Sequence, residues 1–239
     1  MRVVVLTGAG ISAESGLRTF RDADPSTGSG QAGLWEDHRV EDVATPEAYA
    51  AHPDVVQAFY DARRAALRAV EPNPAHRALA VLEQHLGDDL LLVTQNVDDL
   101  HERGGSRQVL HMHGELRSAW CVACDERFRW DADLGEAPPC PGCGVRSLRP
   151  DVVWFGEPPY GMERIEAALV RADLFVSVGT SGAVYPAAGF VQIARAFGAR
   201  TLELNLDPSD GTDWFDEARQ GPAGQLVPSW AEELADGYV

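Results

Sequence analysis

The run Val3-Val4-Val5-Leu6-Thr7 passes without a break into Gly8-Ala9-Gly10-Ile11-Ser12-Ala13. An unbroken apolar run rich in β-branched residues reads as a strand covered on both faces, as in a parallel sheet. The Gly-x-Gly-x-x-Ala turn that follows suits a strand-to-helix crossover. Small residues there let the backbone approach a diphosphate, and the helix beyond offers unpaired N–H groups and partial positive charge. This opening constrains the chain toward an α/β architecture. One part of the standard dinucleotide fingerprint is missing. An acidic residue is expected about 20 positions on, at the end of a second strand. Asp22 and Asp24 fall instead in a polar, Gly-rich loop over 22–33. The turn is therefore not that of a standard dehydrogenase.

The rest of the chain keeps the alternation. Residues 53–70 carry apolar positions at helical spacing through Val56, Phe59, Ala66, Leu67 and Val70. Asn73-Pro74 supplies an N-cap with Pro at the first helical position and opens a helix to residue 86. Strands are expected over 89–94, 109–112, 174–178 and 201–206, with helices over 162–171 and 186–197. Residues 152–155 are apolar and extended. Strands alternating with helices form an open parallel sheet covered on both faces. Two segments break the pattern: 35–75, mostly helical, and 119–149, rich in Cys but with little periodicity. Together they are expected to build a small second domain, leaving 1–34, 76–118 and 150–239 to the large one.

Cys121-x2-Cys124-x15-Cys140-x2-Cys143 matches a four-Cys zinc pattern. Each CxxC turn supplies two thiolates, and two such turns close a tetrahedral shell. A closed four-sulfur shell leaves no open position, so one structural zinc ion is expected. No stretch reaches the roughly 20 apolar residues that span a bilayer, and the first residues are too short for a signal-peptide core. A cytoplasmic location is expected, where paired CxxC units read as metal ligands before disulfides.

Charge narrows the partners. Asp and Glu total 37 against 20 basic residues, all of them Arg, for a formal net charge of -17. A nucleic-acid binder needs a basic face, and a lipid-bound protein needs basic residues against anionic headgroups. Both are excluded as expectations. The missing Lys is read first as the codon preference of a GC-rich genome.

Thr94-Gln95-Asn96-Val97-Asp98 leaves the strand expected over 89–94. It lies at the C-terminal end of that strand, where open α/β sheets bind ligands. Its amides and carboxylate suit recognition of a carboxamide and ribose hydroxyls. His111-Met112-His113-Gly114 follows. Alternating residues on a strand face opposite sides, so at most one of the two His faces the site.

Taken together, these pieces resemble the sirtuin family in order and spacing. The residues that carry the resemblance are Gly8-Ala9-Gly10-Ile11-Ser12, Ser15-Gly16, Phe20-Arg21, Thr94 to Asp98, Leu100-His101, His113-Gly114, both CxxC pairs, Gly179-Thr180-Ser181 and Asn205. The likeness runs from Val3 to Gly221-Pro222-Ala223. It implies an NAD-dependent protein-lysine deacylase with a Rossmann-like parallel-sheet large domain and a smaller helical plus zinc-binding domain. It further implies that His113 is the catalytic base. Gly8, Ala9, Gly10, Ser12, Phe20 and Arg21 would surround the diphosphate and nicotinamide ribose. Gln95, Asn96 and Asp98 would form the polar wall by the ribose and nicotinamide. Gly179, Thr180, Ser181, Asn205 and Ala223 would complete the NAD site. Val152, Val153, Trp154 and Phe155 resemble the segment that pairs main chain to main chain with the substrate peptide. The implied products are free lysine, nicotinamide and acyl-ADP-ribose. A His base suits this task because its ordinary pKa, about 6.5, lies near neutrality.

Tyr60 and Arg63 stand at i and i+3 on the expected helix and share one face. In the subgroup this chain most resembles, a Tyr-x-x-Arg pair reads a distal carboxylate on the acyl group, which implies succinyl and malonyl as well as acetyl. A guanidinium pairs bidentately with a carboxylate, and a phenol adds a hydrogen bond. The chain departs from the pattern at Arg18, where Pro is usual, and over 24–31, which reads as an insertion. Acylated lysine peptides or proteins are the expected partners, and a monomer the expected state. Two other readings stay open. One is mono-ADP-ribosyl transfer from the same NAD site. The other is a reader that binds without turnover, against which intact His113 and Asn96 argue.

Overall fold

The structure is a computed structural model that describes residues 1–17, 34–35 and 38–237. β1 (Val3–Thr7) feeds the short helix α1 (Ala9–Ala13). β2 (Leu34–Trp35) and β3 (His38–Arg39) form a two-residue antiparallel ladder. Three helices follow: α2 (Val40–Val43), α3 (Pro46–Ala51) and α4 (Pro53–Arg68). Pro sits in the first turn of both α3 and α4, where its missing N–H costs nothing. α5 (Pro74–Leu86) begins with a capping box. The Asn73 side chain accepts the Ala75 amide at 3.0 Å, and the His76 ring accepts the Asn73 amide at 3.3 Å.

β4 (Leu90–Thr94), α6 (Leu100–Gly104) and β5 (Val109–His111) continue the alternation. β6 (Gly114–Cys121), β7 (Arg127–Arg129) and β8 (Leu148–Val152) make a separate antiparallel sheet in the order β7-β6-β8. α7 (Met162–Leu169), β9 (Leu174–Val178), α8 (Phe190–Ala196), β10 (Arg200–Asn205), β11 (Glu217–Gln220) and α9 (Ala223–Asp236) complete the chain.

Six strands form one all-parallel sheet in the order β11-β10-β9-β1-β4-β5. Successive side chains of β1 feed opposite layers, as strand geometry requires. Val3 and Val5 join Leu79, Leu92, Val176, Val227 and Trp230 under α5 and α9. Val4 and Leu6 join Val93, Ile165, Leu169, Phe175 and Phe190 under α7 and α8. The strands after β1 continue toward one edge, and those from β9 onward toward the other. The strand order therefore reverses between β1 and β9, and open sheets bind ligands beyond the carboxyl ends of strands at such a point.

A third core joins α2 and α4 to β6 and to the chain after β8, through Val43, Val56, Phe59, Tyr60, Leu116 and Trp154. A fourth, with Ala119, Cys121, Leu134, Cys140 and Leu148, lies under the Cys turns. Among the described residues no helix is long and apolar enough to cross a membrane.

Two regions differ from the sequence-based expectation. Residues 114–121 and 148–152 are paired strands, although the Cys-rich segment shows no period. β8 reads Leu-Arg-Pro-Asp-Val and is buried throughout, so its polar residues hide it. Arg149 is satisfied by Glu157 at 2.7 and 3.0 Å, and Asp151 by Ser118 at 2.9 Å and Tyr160 at 2.8 Å. Beyond residue 206 no element is expected, yet β11 extends the sheet and α9 packs on α5.

Candidate active site

The two Gly-rich turns meet at the switch point. The Gly8 amide donates to the Val178 carbonyl at 2.9 Å, and the Gly10 amide to the Gly179 carbonyl at 2.8 Å. A Cβ on Gly10 would stand 2.7 Å from Gly179 Cα, and one on Gly179 would stand 2.5 Å from the Ile11 nitrogen. Gly179 also has φ +61, which favours Gly. These glycines therefore serve the contact between turns as well as any approach of a diphosphate. The Ala9 amide opens α1 and has no intrahelical partner. Gln95 and Thr180 border one cleft together with Gly182, Ser209, Gly211 and Phe215. The close-set glycines of the two turns, with the amides that open α1, fit the backbone approach of a diphosphate.

A buried polar network stands behind it. Asn96 donates its amide to the Gly8 carbonyl and the Ser12 hydroxyl, each at 3.1 Å. His76 accepts at Nδ1 from the Asn73 amide, so Nε2 carries the proton and points to Ser12 Oγ at 3.4 Å. Burial, with the charge of Arg77 beside it, pushes His76 down to about 4 and keeps it neutral. Asp98 lies beside Ser12 and accepts the Leu100 amide at 3.1 Å. Burial pushes Asp98 up, against the opposing bonds from the Leu100 amide and Ser12. Thr7 donates to Thr94 at 2.9 Å and meets His101 Nε2 at 2.9 Å. Burial holds His101 well below its ordinary range, so it stays neutral. The sequence singled out Ser12, Asn96 and Asp98, but not the roles of Thr7, His76 and His101. The only local signal for His76 is its place three residues after an Asn cap.

His111 and His113 each meet a different carbonyl of the loop after β4. β5 ends at His111, and both rings close on consecutive carbonyls of one loop. His111 Nδ1 meets the Asn96 carbonyl at 3.1 Å, and its Nε2 meets Glu102 at 2.8 Å. Both partners only accept, so both nitrogens carry protons. Burial pushes His111 down, but the Glu102 bond and the charges of Glu102 and Glu115 outweigh it and raise the pKa. His113 Nδ1 donates to the Gln95 carbonyl at 3.0 Å, which leaves Nε2 as the lone pair of the neutral ring. Burial lowers the His113 pKa, with the Gln95 bond opposing. His111 pins the loop through its two ring nitrogens, and His113 is neutral at neutral pH.

α4 places Tyr60 and Arg63 on one face, as the spacing requires. Tyr60 is fully buried, and its hydroxyl accepts Trp154 Nε1–H at 2.9 Å. Burial pushes Tyr60 up to about 12, against the Trp154 bond and the charges of Arg63 and Arg149. The Arg63 guanidinium lies 5.7 Å from the Phe59 ring centre. Trp154 is clamped from the other side by the Arg149 guanidinium, 3.3 Å over its ring, and its amide donates to Glu157 at 2.8 Å. Only Val152 of the extended stretch belongs to β8. The Val153 amide donates to the His113 carbonyl at 2.9 Å, tying this segment to the His113 loop. Phe155 donates its amide to Ala44 at 3.0 Å and leaves its ring 51% exposed.

On the other side of the cleft, Asn205 donates to the Thr180 carbonyl at 2.8 Å, and Thr180 bonds Ser177 at 2.9 Å. Ser181 accepts the Ala183 amide at 3.2 Å. Ala223 is the first residue of α9, and the next amide, Gly224, donates to Glu14 at 3.0 Å. Phe20, Arg21, Arg18 and the expected insertion over 24–31 lie outside the described residues.

The four Cys converge. Cys121 and Cys143 sulfurs are 3.7 Å apart, as are those of Cys124 and Cys140, and all four lie within 4.8 Å of one another. Disulfide sulfurs would be bonded at about 2.05 Å. Four sulfurs at about 2.3 Å from zinc define a tetrahedron with edges of about 3.8 Å. Each CxxC turn closes the same way. Asp125 donates to Cys121 and Gly144 to Cys140, both at 2.8 Å, and both donors have positive φ. The donor set and spacing fit one structural zinc ion.

The model of the Sir2 family matches residues 8–186. Among curated relatives, the NAD-dependent protein deacylase of Salmonella typhimurium is 54% identical over 99% of this chain and 85% of its own length. That of Bdellovibrio bacteriovorus is 54% identical over 98% of this chain and 97% of its own length. Among solved structures, a Sir2 homologue–NAD complex superposes with TM-score 0.87 at 38% identity, over all of this chain and 91% of the other. A Sir2 bound to acetylated peptide gives TM-score 0.79 at 26% identity, over 97% and 92%. With the zinc turns, the paired glycine turns and the His113 loop in place, the chain belongs to the Sir2 family.

Proposed function

We propose that this chain removes acyl groups from protein lysine side chains in an NAD-dependent reaction that releases nicotinamide and acyl-ADP-ribose. Acetyl and the carboxylated groups succinyl and malonyl are its substrates. The observation that carries this reading is His113, neutral and fixed at Nδ1 by the Gln95 carbonyl, with Nε2 clear at the carboxyl end of the sheet. Relatives named NAD-dependent protein deacylase at 54% identity support it.

Bound NAD supplies the ribose carbon that takes up the acyl oxygen and the hydroxyl that receives the acyl group. His113 Nε2 takes the proton from that hydroxyl. Gln95, Asn96 and Asp98 orient the nicotinamide ribose, with Ala9, Ser12, Phe20 and Arg21 near the diphosphate. Thr180, Ser181, Asn205 and Ala223 hold the adenosine end. Tyr60 and Arg63 bind the distal carboxylate, and residues 152–155 pair with the peptide main chain. In this reading 35–75 and 119–149 act as the smaller domain of a cytoplasmic monomer. His113→Ala is expected to abolish turnover of acetyl-lysine peptide while thermal stability is kept. Near-wild-type NAD-dependent deacylation by that variant would overturn the assignment.

A further inference from the structure

Tyr60 and Arg63 share one face of α4, and Asp61 between them meets the loop of the zinc turns. Its carboxylate accepts the Leu134 amide at 2.9 and 3.1 Å and the Gly135 amide at 2.8 Å. It also takes Arg64 Nη1 at 2.5 Å, and its own side chain is only 14% exposed. Leu134 and Gly135 belong to the loop that joins Cys124 to Cys140. Leu134 is fully buried against Cys121, Cys140, Ala119 and Leu148.

The other ties of α4 are of a different kind. Gln57 donates to the Leu148 carbonyl at 2.9 Å and Arg64 Nε to the Leu116 carbonyl at 2.8 Å. These reach β8 and β6, which pair with each other without help from the sulfurs. Arg68 reaches Asp131 and Asp133 in the loop, but at an exposed position where solvent screens the charge. Asp61 is thus a half-buried tie from α4 to a loop whose two ends are held by Cys124 and Cys140. Released from zinc, that loop would no longer present its two amides, and a half-buried carboxylate would be left with Arg64.

We propose that Asp61 is a positioning residue through which the zinc turns set the placement of Arg63, and so the selectivity for carboxylated acyl groups. The selectivity arm rests on the function proposed above; the coupling arm does not. In zinc-loaded protein, Asp61→Ala is expected to raise KM for a succinyl-lysine peptide about tenfold, since small misplacements of a binding group carry large penalties. KM for the acetyl-lysine peptide and kcat for both should change less than about twofold, because acetyl carries no carboxylate for a guanidinium to bind. Asp61→Asn, which keeps one acceptor, should fall between wild type and Ala. Amide exchange is the second readout. The Leu134 and Gly135 amides and residues 60–63 should exchange faster in Asp61→Ala, and residues 60–63 should do so in wild type after zinc chelation. Equal changes in both KM values, or none, would overturn the selectivity role. Unchanged exchange over 60–63 on chelation would overturn the coupling. If wild type shows no NAD-dependent deacylation, the proposed function fails, and the exchange result alone decides whether Asp61 couples the two parts. Should Asp61→Ala fail to fold, Asp61→Asn carries both readouts.

Discussion

Replacing Tyr60 with Phe removes one oxygen from the interior and tests two parts of the site at once. Trp154 Nε1 donates to that oxygen at 2.9 Å, with Tyr60 fully buried and Trp154 2% exposed. Without it the indole N–H is a buried donor with no acceptor. Such a loss costs about 1–3 kcal/mol. The ring is kept, so no large cavity adds to the cost. For a chain of this size each 1 kcal/mol moves Tm by about 2–4 °C, so a fall of about 2–12 °C is expected. The functional half follows from the same bond. Because the hydroxyl accepts from Trp154, its own proton is directed elsewhere and can be donated to a carboxylate beside Arg63. Burial pushes Tyr60 up to about 12, so it stays protonated through any practical assay pH. A hydrogen bond to a charged acceptor is worth about 1.5–3 kcal/mol, or roughly ten- to a hundredfold in kcat/KM. Tyr60→Phe should lose that factor on succinyl-lysine peptide and little on acetyl-lysine peptide. Thermal unfolding and paired kinetics read both. An unchanged Tm with equal losses on the two peptides would refute the reasoning.

Other expectations follow from the same geometry. Arg63→Met should lose desuccinylation by on the order of a hundredfold while keeping most deacetylation, and equal losses would remove Arg63 as the carboxylate reader. The pH profile of kcat/KM should fall on the acid side with a midpoint below the ordinary His value of about 6.5, because burial lowers the His113 pKa and only its neutral form can take a proton. A midpoint above that value would count against His113 as the base. Chelating zinc should lower Tm and expose the four thiols to a thiol reagent, whereas thiols that stay protected would argue against a four-sulfur site.

What could be read from the sequence was set by how each element is buried. β1, β4 and β9 are covered on both faces at every position, and unbroken apolar runs reveal them. α5 shows itself by Asn73-Pro74, and the zinc turns by spacing alone. β8 stays hidden because Arg149, Pro150 and Asp151 look like loop residues until Glu157, Ser118 and Tyr160 are brought to them. α9 follows Gly221-Pro222 and carries Pro228 inside the helix, which reads as a break. At the proposed site, His113, Asn96 and Tyr60-x-x-Arg63 are picked out by the family resemblance rather than by composition or period. Their settings are not. The Trp154 bond to Tyr60 and the hold of Asp61 on Leu134 join residues far apart in the chain. The neutral His76 behind Ser12 follows only from burial. The absence of Lys also gains a meaning, since a deacylase without Lys presents no side-chain substrate of its own. The charge of -17 favours approach of basic peptides but repels a succinylated side chain. A local cation must offset that field, and Arg63 on α4 is the residue proposed to do so.

The most direct test is mass spectrometry of acetyl-, succinyl- and malonyl-lysine peptides incubated with the protein, with and without NAD. The account predicts loss of each acyl group only when NAD is present, with nicotinamide and acyl-ADP-ribose formed in equal amounts. Acyl peptides left intact in the presence of NAD, or ADP-ribose found covalently attached to protein in place of acyl-ADP-ribose, would contradict it.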